Sequence, residues 1–498
     1  MSKLSKNIIY NVVGQGLLLI LGFVAVKYVF KQLGGDALGI IYFTAAINIV
    51  LTGILDKGIY ATTVREVSAH FHDEPKYIRD FIRTGSLFTW SVYIFFGIAI
   101  YFIAPILANK WINLETMDSA TAISIMRILG IASLVSIPRS FYASLIRGLQ
   151  RMEFNNLIDV GTSGLQQFGT ILILIAGGTI FHVVYWFSAC YGISILAYFT
   201  ISSRFFSIRS LVPKYSSGAV RRNWSFGSKM VTISIMALIH NQAEKLMVSK
   251  WLPIGVFGYY GSAYDAVSKA GLITGAISQA AFPSLSALFK KGDRISLISQ
   301  YRKLQDLICF ITVPVFAIIP FAALPLFTYL FNEEIAKTLL LPVTFLSLGF
   351  YMNGTLNLPY QFSLAVGKPE IAVRSNMYAL FIVLPVTAFL IYQFGLAGAG
   401  LSWVFFNLFT YVYFVPRICR ECMEIPVRMW YLHVLNAFIL AGLTFGLAWF
   451  VLRLLDIFSI LPLTIAYTGA TIVFLIGAYF MISNELRKTL LIFLGIKK

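Results

Sequence analysis

The stretch Asn7–Phe43, NIIYNVVGQGLLLILGFVAVKYVFKQLGGDALGIIYF, decides the fold. From Ile8 to Phe30 it is one apolar run, long enough for a helix to cross about 30 Å of hydrocarbon. A short polar turn with paired glycines, Gly34 and Gly35, follows, and a second run extends from Leu38 to Ile59. Two spans joined by a tight turn imply a helical hairpin in a bilayer. The first run exceeds a signal-peptide core and lacks a small-x-small cleavage pattern, so it reads as a retained helix. The same pattern recurs down the chain, giving fourteen apolar segments in all. They are continuous rather than alternating with period two, which argues against a β-barrel.

Composition agrees. Hydrophobic residues make up 58% of the 498 and charged residues 12%, with a mean hydropathy of +0.79. An ordinary soluble protein carries about 25% charged residues. So few charges cannot cover a soluble surface, which excludes a cytosolic enzyme, a disordered scaffold and a secreted disulfide-rich protein. The net charge is +18. With the N-terminus placed inside, alternate connections hold 28 Lys and Arg on the inner side and 5 on the outer, with six more inside spans. That asymmetry predicts both termini in the cytoplasm. It also spreads the positive charge over eight segments, so no nucleic-acid partner is needed to explain it. Of the four cysteines, Cys419 and Cys422 form a lone C-x-x-C without the second pair that a zinc site needs.

An internal repeat appears at an offset of 219 residues: Lys31 maps to Lys250, Leu33 to Leu252, Gly39 to Gly258, Gly130 to Gly349, Ser144 to Ser363 and Gly148 to Gly367. Each copy holds six helices, an even number, so the copies share one orientation. The expected fold is an all-α polytopic membrane protein with fourteen transmembrane helices, in two pseudo-symmetric six-helix lobes plus two C-terminal helices. The lobes are 1–205 and 230–425, joined by a cytoplasmic linker, 206–229. Helices 13–14 and a cytoplasmic tail occupy 426–498.

Ionisable groups at bilayer depth are costly and usually face a cavity, a partner or the interface. Arg127 holds its proton permanently and therefore needs an anion or polar partner. Lys27 near the outer end of helix 1 reads equally as a snorkelling residue, and Asp56 with Lys57 as an interfacial pair. Helix 7 carries His240, Asn241, Glu244 and Lys245. Helix 8 carries Asp265 and Lys269 at i, i+4, either a structural salt bridge or a pair that releases Lys269 when a phosphate arrives. His240, Glu244 and Asp265 are the candidates for ion coupling or gating, and the two carboxylates could couple transport to protons or sodium. The chain has no phosphate-binding loop for ATP hydrolysis. Its short loops offer little room for the acid and base groups of a membrane polymerase. No cofactor or metal site is called for.

Three segments carry a family resemblance. The opening hairpin quoted above resembles the first helix pair of the polysaccharide-transporter flippases, within the multidrug/oligosaccharidyl-lipid/polysaccharide exporter superfamily. AEKLMVSKWLPIGVFGYYGSAYDAVSKAGLITGAISQAAFPSLSAL, Ala243–Leu288, is similar to the start of that family's second lobe. YASLIRGLQRMEFNN, Tyr142–Asn156, is similar to its helix 4 to 5 connection. The resemblance, which extends over essentially the whole chain, implies a flippase of the bacterial inner membrane. Its cargo would be an undecaprenyl-diphosphate-linked oligosaccharide, carried by alternating access for O-antigen, capsule or exopolysaccharide synthesis. It also implies membrane lipids and other polysaccharide assembly proteins as partners, and a cationic cavity between the lobes. Arg127 and Lys269, with Lys27 and Lys245, fit such a cavity as substrate-binding groups, because fixed cations replace the hydration that a diphosphate loses. Two alternatives stay open: a multidrug exporter of the same superfamily, which would want an acidic cavity, and a membrane-embedded polymerase or ligase.

Overall fold

A computed structural model describes residues 3–493, with side chains described over residues 16–488 except at 54, 56, 57, 226, 229, 230, 232–234, 236, 237 and 240. Among the described residues every regular element is helical, and the one extended pairing is an isolated bridge between Asn113 and Pro253. Eleven helical stretches among them are long and apolar enough to cross a membrane. Two helices contain a glycine in the left-handed region, Gly34 (φ 83°) and Gly395 (φ 56°), and each is two helices joined at that break. Glycine occupies that conformation without a Cβ clash. Fourteen crossings remain our proposal for the chain.

The helices gather into two compact units, Met1–Gly261 and Ser262–Lys498. The first begins with α1 (Lys3–Leu55), α2 (Ala61–His70) and α3 (Pro75–Ile106). It continues with α4 (Ser119–Ser133), α5 (Ser136–Gly148), α6 (Met152–Ile175), α7 (Ile180–Phe205), the short α8 (Ile208–Leu211) and α9 (Ser217–Trp251). Helix α10 (Ile254–Lys290) starts in this unit and ends in the second. The segment 206–229, expected as a linker, thus holds the start of a continuous 35-residue helix that packs on α1.

The core of this unit is built where α2, α3, α5 and α7 meet, around Val67, Ile82, Phe141, Tyr142 and Tyr198. Because these aromatic residues are buried, their polar tips must find partners within the protein. Tyr60 donates to the Ile137 carbonyl at 3.0 Å, and the Tyr142 hydroxyl accepts from Trp90 Nε1 at 3.1 Å and meets Ser86 Oγ at 3.1 Å.

The second unit contains α11 (Arg294–Asp306), α12 (Val313–Leu330), α13 (Glu333–Ala365) and α14 (Glu370–Arg417). Helices α15 (Val427–Ala441), α16 (Leu447–Leu454), α17 (Ile460–Met481) and α18 (Asn484–Phe493) complete it. Helix α13 packs along both α12 and α14, close enough that a Cβ on Gly400 would stand 2.5 Å from the Pro342 carbonyl oxygen. Buried polar side chains bond to backbone carbonyls: Ser347 to Phe316 at 2.7 Å, Tyr351 to Cys309 at 2.7 Å and Asn407 to Gly349 at 3.0 Å.

The repeat has structural echoes. Ser144 bonds the Phe141 carbonyl at 2.6 Å, and Ser363, 219 positions later, bonds the Tyr360 carbonyl at 2.7 Å. Shortly after each serine the helix ends on a left-handed residue, Gln150 in the first copy and Gly367 in the second. The matched glycines Gly39 and Gly258 touch each other: a Cβ on Gly258 would lie 2.7 Å from the Gly39 nitrogen.

Candidate functional site

The first unit has two contrasting ends. At the end remote from the N-terminus, the Gly34 turn packs against the start of α10. A Cβ on Gly39 would lie 1.9 Å from the Ile254 carbonyl oxygen, and one on Gly35 would lie 2.3 Å from the Tyr259 hydroxyl. Only glycine permits this approach. Phe43 on Phe257 and Phe30 on Tyr259 flank the seam edge to face. The loop before α4 closes over it. Asp36, 2% exposed, takes the backbone N–H groups of Glu115, Thr116 and Met117 on one carboxylate oxygen at 2.9, 2.7 and 3.0 Å. The Ile254 N–H donates to the Asn113 carbonyl at 2.8 Å, and Asn113 Nδ2 to the Lys250 carbonyl at 3.1 Å. Asp118 caps α4 through the Thr121 N–H at 2.8 Å, a bond that holds its carboxyl below the ordinary range.

The end nearer the N-terminus is polar at its rim and loosely filled inside. Glu66, 4% exposed, accepts from Arg65 at 2.6 and 2.9 Å and from the Tyr77 hydroxyl at 2.7 Å. Asn223 on α9 joins this network, accepting from Arg65 at 3.2 Å and donating to Tyr77 at 2.8 Å. Arg222 makes a two-pronged contact with Glu74 at 2.7 and 3.0 Å while lying over the Tyr77 ring. The guanidinium holds the Glu74 carboxyl below its usual value. Inside this rim lies a cavity of about 610 Å³, lined among others by Ile59, Thr62, Phe88, Phe141 and Trp224. The helical glycine Gly227 opens into it, with no atom closer than 3.9 Å to where its Cβ would stand. Beside the cavity the first helical pair widens to i→i+5 bonding over Asp56–Tyr60, a local expansion common at functional sites.

The first unit also holds a polar cluster between α5, α6 and α7. Arg139 on α5 donates to Ser194 Oγ at 2.6 Å and to Asp159 Oδ1, and that same oxygen accepts from Tyr198 at 2.8 Å. The guanidinium also lies over the Tyr198 ring. In the sequence Arg139 is one of the six cations that lie inside spans. Its acid lies 20 residues away and its hydroxyl partner 55, so no local spacing marks the set.

The predicted residues divide between the two units. Arg127 donates to the Tyr101 carbonyl at 3.0 Å and lies over that ring at 4.1 Å. Tyr101 shares its stretch of α3 with the exposed Ile98 and Phe102, so Arg127 sits beside an uncovered apolar surface. Lys27 and Lys245 are half-buried, on α1 and α9. Glu244 is buried and accepts from Tyr260, itself fully covered. The His240 side chain lies outside the described residues, as do those of Asp56 and Lys57. In the second unit Asp265 and Lys269 are both on the exposed face of α10, and Lys269 joins none of the ion pairs among the described residues. The i, i+4 salt bridge is therefore not formed. No group of three or more His, Cys, Asp or Glu among the described residues could hold a metal.

The comparisons with known proteins converge. Residues 4–289, more than half of the chain, match the family described as polysaccharide biosynthesis protein. A Shigella flexneri protein named "Putative O-antigen transporter" is 23% identical over 410 residues, covering 80% of this chain and 93% of that protein. Among solved structures, one of the lipid II flippase MurJ in an inward closed conformation superposes with a TM-score of 0.73 at 15% identity, over 95% of this chain and 98% of its own. An inward-facing multidrug resistance transporter of the MATE family gives 0.67 at 14% identity, over 81% of this chain and 95% of its own. At such identities the structural likeness speaks to the fold. The fold is that of membrane transporters and flippases rather than enzymes. This chain has the fold of multi-pass membrane transporters and belongs to the polysaccharide biosynthesis protein family.

Proposed function

We propose that the protein is a flippase that carries undecaprenyl-diphosphate-linked oligosaccharide repeat units across the bacterial inner membrane by alternating access, with both termini in the cytoplasm. The observation that carries this reading is the polysaccharide biosynthesis match on a chain whose helices follow a transporter fold. The physics supports it. A diphosphate cannot enter hydrocarbon without replacing its hydration, and fixed cations at bilayer depth supply the replacement. Lys269, exposed on α10 and outside the ion pairs of the described residues, is our first choice to meet the diphosphate. Arg139 is the second, since the Asp159 carboxylate that neutralises it can be exchanged for a ligand phosphate. Arg127, Lys27 and Lys245 are secondary contacts. Glu244, Asp265 and His240 are the proposed groups for coupling to a proton or sodium gradient. The lobes proposed to rock are 1–205 and 230–425, with 426–498 appended.

The test is leaflet-resolved transport of a defined lipid-linked saccharide in reconstituted vesicles. The wild-type protein moves the saccharide, and Lys269→Ala inserts normally but moves it at least about tenfold more slowly, as expected for losing a charge-assisted contact. Normal transport by that variant removes Lys269 from the site, and no transport by the wild type under any imposed gradient removes the reading.

A further inference from the structure

Each copy of the repeat contains a helical hairpin that follows its Ser144 or Ser363 turn. In the first unit that hairpin is α6 with α7, and its polar pair is balanced, because Asp159 neutralises Arg139. In the second unit the corresponding hairpin is the two halves of α14, on either side of Gly395. There Arg374, Tyr378, Tyr413 and Arg417, with Met377 and Phe381, line one cavity of about 260 Å³. Among the described residues no carboxylate lines it. Arg417 is steadied by its contact with the Tyr413 hydroxyl and lies 3.9 Å above that ring's centre. The Tyr378 and Tyr413 rings lie 5.1 Å apart, tilted by 58°. Arg374 is exposed and has no hydrogen bond or ion pair among the described residues. Glu370, one helical turn before it, does not pair with it.

Interfacial anchoring accounts for single arginines and tyrosines at helix ends. It does not account for two guanidinium groups lining one pocket. Like charges brought together at a low-dielectric boundary repel, and the arrangement is stable when an anion joins them. Guanidinium forks match phosphate oxygens in shape as well as charge. The exposed Tyr378 and Phe381 faces beside them suit the hydrocarbon or ring carbons attached to such a phosphate. Arg374 lies near the start of α14 and Arg417 at its end, so both sit at one edge of the helical hairpin, at the depth of lipid headgroups rather than at bilayer centre.

We propose that this pocket is a binding site for a lipid-borne phosphate, held between Arg374 and Arg417 with its organic part against Tyr378 and Phe381. The proposal rests on the flippase reading for its physiological meaning: it is where the carrier's phosphate docks at the membrane surface before translocation. The binding itself does not depend on transport.

The test is native mass spectrometry of the full chain in detergent, titrated separately with geranylgeranyl diphosphate, phosphatidylglycerol and phosphatidylcholine. We expect retention of geranylgeranyl diphosphate or phosphatidylglycerol by the wild-type protein, with retention at least about tenfold weaker in Arg374→Gln and in Arg417→Gln. Phosphatidylcholine should not be retained. Arg374 is exposed, so its replacement leaves folding intact, and an unchanged melting temperature verifies this. Retention of the diphosphate names the carrier as the ligand. Retention of phosphatidylglycerol alone keeps the site but separates it from the transported cargo. Equal retention of both anionic lipids by wild type and Arg374→Gln, or retention of neither by wild type, overturns the proposal. A protein that binds the diphosphate here yet moves no saccharide in vesicles would sink the flippase reading and leave this site standing.

Discussion

The two ends of the first unit follow opposite packing plans. At the end remote from the N-terminus, backbones meet at Gly39 and Gly258, a buried carboxylate gathers three N–H groups, and no room is left for a methyl. At the other end, ionic and aromatic groups ring a cavity of about 610 Å³. The contrast teaches that tightness here is local and directional: one end is sealed by close contact of backbones, while the other keeps volume inside a polar rim. A transporter needs such an asymmetry, with one end shut while the other stays accessible, and it needs the sealed end to part.

The comparison can be broken most forcefully at the seam. Gly39→Val places carbon where the Ile254 carbonyl oxygen stands at 1.9 Å, so the backbone must move. Overpacking of this kind costs about 3 kcal/mol, which thermal unfolding in detergent should register as a clear loss. A valine accepted without loss would mean that the seam is not tight. Next comes Asp36→Ala, which strands three N–H groups that now share one oxygen. The expected loss is about 2 kcal/mol, and Asp36→Asn, which keeps an acceptor, should lose less. At the loose end the same kind of change should be harmless. Gly227→Leu points into the cavity and gains about 0.8 kcal/mol of helix propensity, so its melting temperature should hold or rise. A fall there would show that the volume is already filled.

The smallest effect concerns the rim. Glu74 titrates below its ordinary 4.5 because Arg222 bonds its charged form. A carboxylate with a lowered folded value contributes its stability above the unfolded value and loses it as pH falls through the folded one. The stability difference between wild type and Glu74→Gln should therefore be present at neutral pH and fade below 4.5. A difference that persists in acid would assign the contact to packing rather than charge.

Much of this was legible in the sequence. The Gly34–Gly35 turn, the helical hairpin it closes and the all-helical character follow from hydropathy and glycine placement. The 219-residue offset singled out Gly39 and Gly258, which turn out to touch. Where sequence reading fell short, the cause is distance along the chain. Asp36 finds its partners 79 to 81 residues away, and Arg139 finds Ser194 at 55. Local spacing also left two readings open. Asp265 and Lys269 have the separation of an ion pair, yet on an exposed helix face nothing compels their side chains to meet. Apolar patterning starts the second lobe at 230, because Arg221, Arg222, Asn223 and Ser225 dilute the preceding turns, whereas α9 continues back to Ser217, with Arg222 bonded to Glu74 and Asn223 to Tyr77.

The central claim is that this chain flips a lipid-linked saccharide by parting the sealed end. The most direct measurement is transport in vesicles by Asn113→Cys, Pro253→Cys, a pair placed at the bridge between the α4 loop and α10. The account predicts transport by the reduced variant, loss of transport when the two cysteines are oxidised to a disulfide, and recovery on adding reductant. Unimpaired transport with the disulfide formed would contradict it.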